Sequence, residues 1–157
     1  STSGLAEADK LEKTNSFFNH FQFKTDLENY GVIDYWASPL EFLNKRGGDC
    51  EDYAIVKAFT LVVQGVQSNK LRLAYVVATT TGLSSAHMVL LYTSPEAEPL
   101  VLDNLINSIR PLSSRRDLNL KFSFDLNGNI DQAEPQQKVK QWSALMKKVK
   151  REGFLLN

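Results

Sequence analysis

Residues 44–59 read NKRGGDCEDYAIVKAF and contain the only cysteine of the chain. A thiolate is a strong nucleophile, but a free thiol titrates near about 8.5, so a catalytic cysteine must be stabilised as an anion. Cys50 follows Gly47 and Gly48 and opens an apolar run. That order predicts it in the first turn of a buried helix, where unpaired N–H groups and the helix dipole favour negative charge. Asp49, Glu51 and Asp52 crowd the same turn and work against it. At about 6 Å, with an effective dielectric near 20, one carboxylate disfavours the anion by roughly 2–3 kcal/mol, and the helix end returns about 1 kcal/mol. A positive charge is therefore expected among them, and carboxylate oxygens are the ligands that a hard cation such as Ca²⁺ prefers. The same three residues would also complement an ordinary helix dipole, with Asp49 as N-cap and no metal at all.

The thiol proton needs an acceptor, and the chain offers His20 and His87. His20 sits among Phe17, Phe18, Phe21 and Phe23, a setting that predicts a structural role. His87 begins the run HMVLLY, and EPLVLD follows after a short loop near Pro95. Folded as a hairpin with Tyr92 opposite Glu98, these runs place His87 directly opposite Asp103, on one face of the pair. The carboxylate would orient the ring and hold an imidazolium, and the ring would take the thiol proton. A slip of one residue would separate them. The bland alternatives are an inert core thiol and a merely hydrogen-bonded histidine.

Acyl transfer also needs donors for an oxyanion. The Cys50 backbone N–H is one candidate. Asn44 is another or a cap of the helix before it, and Trp36 either lines a groove or packs. The segment DLNGNID at 125–131 has Gly128 at its fourth position, not the sixth that a calcium loop requires, so a turn is expected there.

These residues need elements to hold them. AEADKLEKTNSFFNHF reads as a helix, after a frayed STSGL. SPLEFLNKR reads as a short one, with Ser38 as N-cap and Pro39 at the first helical position. The helix from Cys50 to about Gln64 carries apolar residues on several faces, and Gly65 is its stop. LRLAYVVATT, HMVLLY, EPLVLDNL and KFSFD are β-branched or alternating. Pro135 opens a last helix with Val139, Trp142, Leu145, Met146 and Val149 on one stripe. Helices, then an antiparallel sheet, then a closing helix make an α+β layout.

The 157 residues suit one domain, 1–157, and the 43% hydrophobic content excludes a disordered chain. Eighteen basic and eighteen acidic residues give no field for nucleic acid or anionic lipid. No run approaches the roughly 18 apolar residues that span a bilayer. No charged-then-apolar leader opens the sequence, so any secretion signal is expected to have been removed.

With GGDCEDYA opening a helix, His87 beginning a strand and Asp103 on the next, the chain resembles the bacterial transglutaminase-like cysteine proteinases, LapG-type periplasmic proteases in particular. The resemblance runs from about Tyr35 through YWASPLEFLNKRGGDCEDYAIVKAF to beyond Asp103. It implies a papain-like, transglutaminase-like fold, with the cysteine helix packed on an antiparallel sheet. It implies a triad of Cys50 as nucleophile, His87 as base and then acid, and Asp103 as its orienting group. Calcium ligands are implied at Asp49 and Glu51, with Asp52 beside them. The implied substrate is the N-terminal region of a large LapA-like surface adhesin, cut to free cells from a biofilm. An inner-membrane cyclic di-GMP receptor of the LapD type would sequester the protease. A monomer is expected, a dimer being the other option. Two further functions share these residues: transglutamination or deamidation of protein glutamine, and a papain-like module that only binds.

Overall fold

A computed structural model describes residues 2–130, 136–154 and 156, with the backbone alone for residues 2–5 and 136–139. Helix α1 spans Thr2–Asn19, so the turns expected to fray are helical from Thr2 onward. Two short pieces follow that the sequence did not announce: strand β1 (Gln22–Phe23) and helix α2 (Asp26–Tyr30). Thr25 caps α2 by accepting the Glu28 N–H, and Gly31 closes it in the left-handed conformation.

Helix α3 (Pro39–Lys45) has the expected start, with Ser38 and Glu41 forming a reciprocal capping box. Strand β2 (Gly47–Gly48) pairs in parallel with β1 and delivers the chain to α4 (Cys50–Val63). Ten of the fourteen residues of α4 are buried, from Asp52 to Val62, and Ile55, Ala58 and Leu61 are wholly enclosed. This burial on several faces explains why its apolar residues follow no single stripe.

The sheet holds β3 (Leu71–Thr80), β4 (Leu83–Ser94), β5 (Ala97–Leu102), β6 (Arg110–Pro111) and β7 (Leu118–Asp125). Its order is β6-β5-β4-β3-β7, antiparallel throughout. Leu71, Leu73, Met88, Leu90, Leu102 and Phe124 pack with α4 in the main core. Ala74, Val76, Val89, Leu91 and Val101 form a second cluster, as the two-residue alternation of strands requires.

Helix α5 (Gln136–Arg151) completes the main core with Trp142, Leu145 and Val149. Full burial of Leu145 and Val149 is worth roughly 1.5–3 kcal/mol each. Lys148 ties α5 to α3 through Glu41 at 2.6 Å. Pro135, expected to open α5, lies outside the described residues, as does the side chain of Val139. In the DLNGNID segment, residues 125–129 form a turn: Asp125 accepts the N–H groups of Asn127 and Asn129, and Gly128 has φ +86°, while Asp131 lies outside the described residues.

Candidate active site

The Gly-Gly approach to Cys50 is a matter of space. A Cβ on Gly47 would stand 2.0 Å from the Gln22 carbonyl oxygen, and one on Gly48 would stand 2.6 Å from the Asp52 carboxylate. Only glycines let β2 lie this close to β1 and to the first turn of α4. Asp49 is the N-cap: its side chain accepts from the Asp52 N–H at 3.4 Å, and Asp52 Oδ2 accepts from the Asp49 N–H at 3.1 Å. Cys50 is therefore the first residue of the helix.

The Cys50 thiol donates to Glu51 Oε2 at 3.5 Å, and the backbone of Met88 on β4 acts to favour its anion. The neighbour of Met88 on β4 is His87. No hydrogen bond joins Cys50 to His87 among the described residues, and a catalytic pair often tightens only when substrate binds. The helix start does not by itself make a thiolate. Burial, then the charges of Glu51 and Asp49, push the thiol well above its ordinary value.

His87 and Asp103 do meet: Nε2 and Asp103 Oδ1 are 2.7 Å apart, with both side chains buried. The register that joins them differs from the expected one. Tyr92 faces Leu100, not Glu98, because the turn occupies Pro95–Glu96 and the ladder shifts between Tyr92 and Ser94. Asp103 is one residue past the end of β5 and is not directly opposite His87. Turn and bulge together displace the register by two positions, and an even displacement keeps a residue on its face. The two side chains thus meet across a diagonal, still within reach of an imidazole and a carboxylate.

Asp103 has further partners. Arg115 donates to its Oδ2 at 2.8 Å, the Leu105 N–H to Oδ1 at 3.2 Å, and Asn19 to its backbone carbonyl at 2.8 Å. Burial alone would raise the Asp103 carboxyl. The hydrogen bond and charge of His87, followed by Arg115, outweigh that and hold it below the usual carboxylate range.

Among the described residues, Asp26, Asp49 and Asp52 offer oxygens that all lie within 4.8 Å of one another. Burial, then the hydrogen bond to Glu51 and the charges of Asp52 and Glu51, push Asp49 up to about 12. Burial likewise raises Asp26, and it raises Asp52 to about 7 against the Ala37 N–H that Asp52 accepts at 3.0 Å. Asp26 Oδ2 accepts the Tyr35 N–H at 2.7 Å, and among the described residues its buried Oδ1 has no hydrogen-bond partner. Crowded, buried carboxylates with an unserved oxygen fit a divalent cation. Of the ligands expected from the sequence, Asp49 and Asp52 are in this set. Glu51 lies beside it, between Asp49 and the thiol.

Sequence reasoning missed Asp26 and Arg115. Asp26 sits in TDLEN and Arg115 in SSRRDLN, which read locally as a helix start and as surface charge. Nothing near either residue points to Cys50. Trp36 is in the main core, stacked on Phe124, and Asn44 is exposed on α3. His20 is exposed, its Nδ1 donating to the Ser16 carbonyl at 2.6 Å.

A family model, bacterial transglutaminase-like cysteine proteinase BTLCP, matches residues 2–122. The chain belongs to this family. The transglutaminase-like cysteine proteinase is similar in structure to Legionella pneumophila LapG, at 46% identity and TM-score 0.76, over 91% of this chain and 78% of that one. Calcium-bound LapG from the same organism matches at 44% identity and TM-score 0.76, over 90% of this chain and 79% of that one. EGTA-treated LapG matches at 44% identity and TM-score 0.75, over 90% and 78%. A search among curated proteins found no match. The fold of this cysteine proteinase is the mixed helix-and-sheet fold of LapG, with the helix that carries Cys50 against an antiparallel sheet. No described helix is long and apolar enough to cross a membrane.

Proposed function

We propose that this chain is a calcium-dependent endopeptidase of the periplasm that cuts the N-terminal region of a large surface adhesin, with Cys50, His87 and Asp103 as its triad. The observation that carries the triad is the 2.7 Å contact between His87 Nε2 and Asp103, with His87 one residue along β4 from Met88, whose backbone acts on the Cys50 thiol. With Nε2 committed to Asp103, Nδ1 is the nitrogen left for the Cys50 proton. The sulfur then attacks the peptide carbonyl carbon, and its electron pair forms the C–S bond as the carbonyl oxygen becomes an oxyanion. The Cys50 N–H at the head of α4 is a donor for that oxygen. His87 returns its proton to the leaving amine as the C–N bond breaks, and a thioester remains. His87 next takes a proton from water as the water oxygen bonds to the thioester carbon, and the C–S bond breaks to release the acid and the Cys50 thiolate. Asp103 keeps the ring aimed and balances its positive charge throughout.

Asp26, Asp49 and Asp52 would hold Ca²⁺, with Glu51 alongside, and its charge would offset the carboxylates around the sulfur. The calcium-bound and EGTA-treated forms of LapG support this reading. The adhesin substrate, release from biofilms, restraint by an inner-membrane cyclic di-GMP receptor and the periplasmic setting follow from likeness to the LapG-type proteases. The test is incubation with N-terminal adhesin fragments, with and without EGTA, read by mass spectrometry. A single cut that disappears with EGTA and in Cys50→Ala is expected. Glutamine deamidation or cross-linking without a cut would replace protease by transglutaminase chemistry at the same site.

A further inference from the structure

Arg115 lies outside the triad, yet only 4% of it is exposed. A buried guanidinium keeps its charge and needs carboxylate partners. Asp117 already supplies a two-point grip, on Nε at 2.9 Å and Nη2 at 2.8 Å. The bond from Nη2 to Asp103 Oδ2, also 2.8 Å, is additional, and it takes the oxygen that His87 leaves. A carboxylate gripped at one oxygen can turn about its terminal torsion, which is broad for Asp. Gripped at both, it has one orientation.

We propose that Arg115 is a positioning residue that acts through Asp103. By fixing Oδ2 it aims Oδ1 at His87 Nε2, and so keeps the imidazole in the tautomer whose Nδ1 is open to the Cys50 proton. The proposal rests on the triad reading. An ordinary buried ion pair would instead contribute stability and leave the imidazole unaffected.

The chain holds two histidines, so ¹⁵N-histidine labelling of the whole protein resolves both rings. In a Cys50→Ala background, the His87 Nε2 proton is expected as a slowly exchanging downfield resonance. Arg115→Met should speed its exchange with water tenfold or more, with the His20 signals unchanged as the control for folding. In the protein with Cys50, Arg115→Met should lower kcat on the adhesin fragment about tenfold at unchanged KM, and should add nothing in an Asp103→Asn background. Asp117→Asn, at a carboxylate whose side chain is 39% exposed, loosens Arg115 without emptying its site. It should give a smaller change of the same sign, and it carries the test if Arg115→Met does not fold. Unchanged proton exchange in either folded variant reduces Arg115 to a structural ion pair and overturns the proposal. Normal turnover in Asp103→Asn overturns the triad reading as well, which separates the two failures.

Discussion

Gly48 and Asp52 are packed so closely that a single methyl group on the glycine would meet both the Cβ and the Oδ2 of the aspartate at 2.6 Å. Asp52 is nearly sealed from solvent and cannot swing away without giving up the N–H groups of Ala37 and Asp49. The small residue before Cys50 is therefore tied to the carboxylates after it.

Gly48→Ala should accordingly cost stability and displace Asp52. Overpacking of this kind costs about 1–3 kcal/mol. Urea denaturation should show the loss, and isothermal titration should show weaker calcium binding. Unchanged values for both would mean that β2 yields to the methyl group.

Asp26 is the carboxylate farthest in sequence from the cysteine, and it tests the cation site without touching α4. Asp26→Asn should lower the rise in stability expected on adding calcium, which for the unaltered chain should be about 2.7 kcal/mol at a hundredfold excess over Kd. EGTA should remove activity, and calcium but not magnesium should restore it. A melting temperature indifferent to both calcium and EGTA would leave the cluster as helix capping alone.

Asp103→Asn should reduce turnover by about 10³–10⁴ while leaving the circular dichroism of the protein unchanged, because an amide can hold the ring in the wrong tautomer. Steady-state cleavage of the adhesin fragment measures this. Turnover within a factor of three of the original would remove Asp103 from the mechanism.

Lys57 is enclosed on α4, its ammonium donating to Asn19 at 2.7 Å. Burial lowers it from an ordinary 10.5 to about 7, with the charge of Asp103 pulling the other way. Between those two values the unfolded chain holds a proton that the folded one lacks, so stability rises with pH across that window. Below about 7 both states are protonated and the penalty is complete. Lys57→Met should therefore stabilise the fold at pH 6 by roughly 1–3 kcal/mol, after the cost of an unpaired Asn19 oxygen, and flatten the rise towards pH 10. Parallel denaturation curves at both pH values would show that the ammonium is fully compensated where it lies.

Local chemistry was enough to place the cysteine. Asp49 before it and Asp52 after it are a capping pair, Ser38 and Pro39 start the preceding helix, and each of these devices closes within four residues. Hydrogen bonds that short are written in adjacent residues, and so the start of α4 was legible. The pairing of His87 with Asp103 was legible in kind but not in register. The expected hairpin placed them face to face, whereas the turn at Pro95–Glu96 and the bulge beside Tyr92 move the ladder by two positions. Turn geometry depends on how β5 packs between β4 and β6, and residue order alone does not encode that packing. The contact survives because strand alternation repeats every two residues.

The linear order of residues, by itself, determined that one thiol would stand at a helix head among carboxylates and that an imidazole would share a sheet face with an acid. Chain folding decided which distant groups complete those pairs: Asp26, brought to Asp49 by β1 lying along β2, and Arg115, brought to Asp103 by the return of the chain after β6. Capping and alternation are short-range and periodic, so they show in sequence. Encounters between separate segments are set by which surfaces bury against each other, and only the packed molecule contains that information.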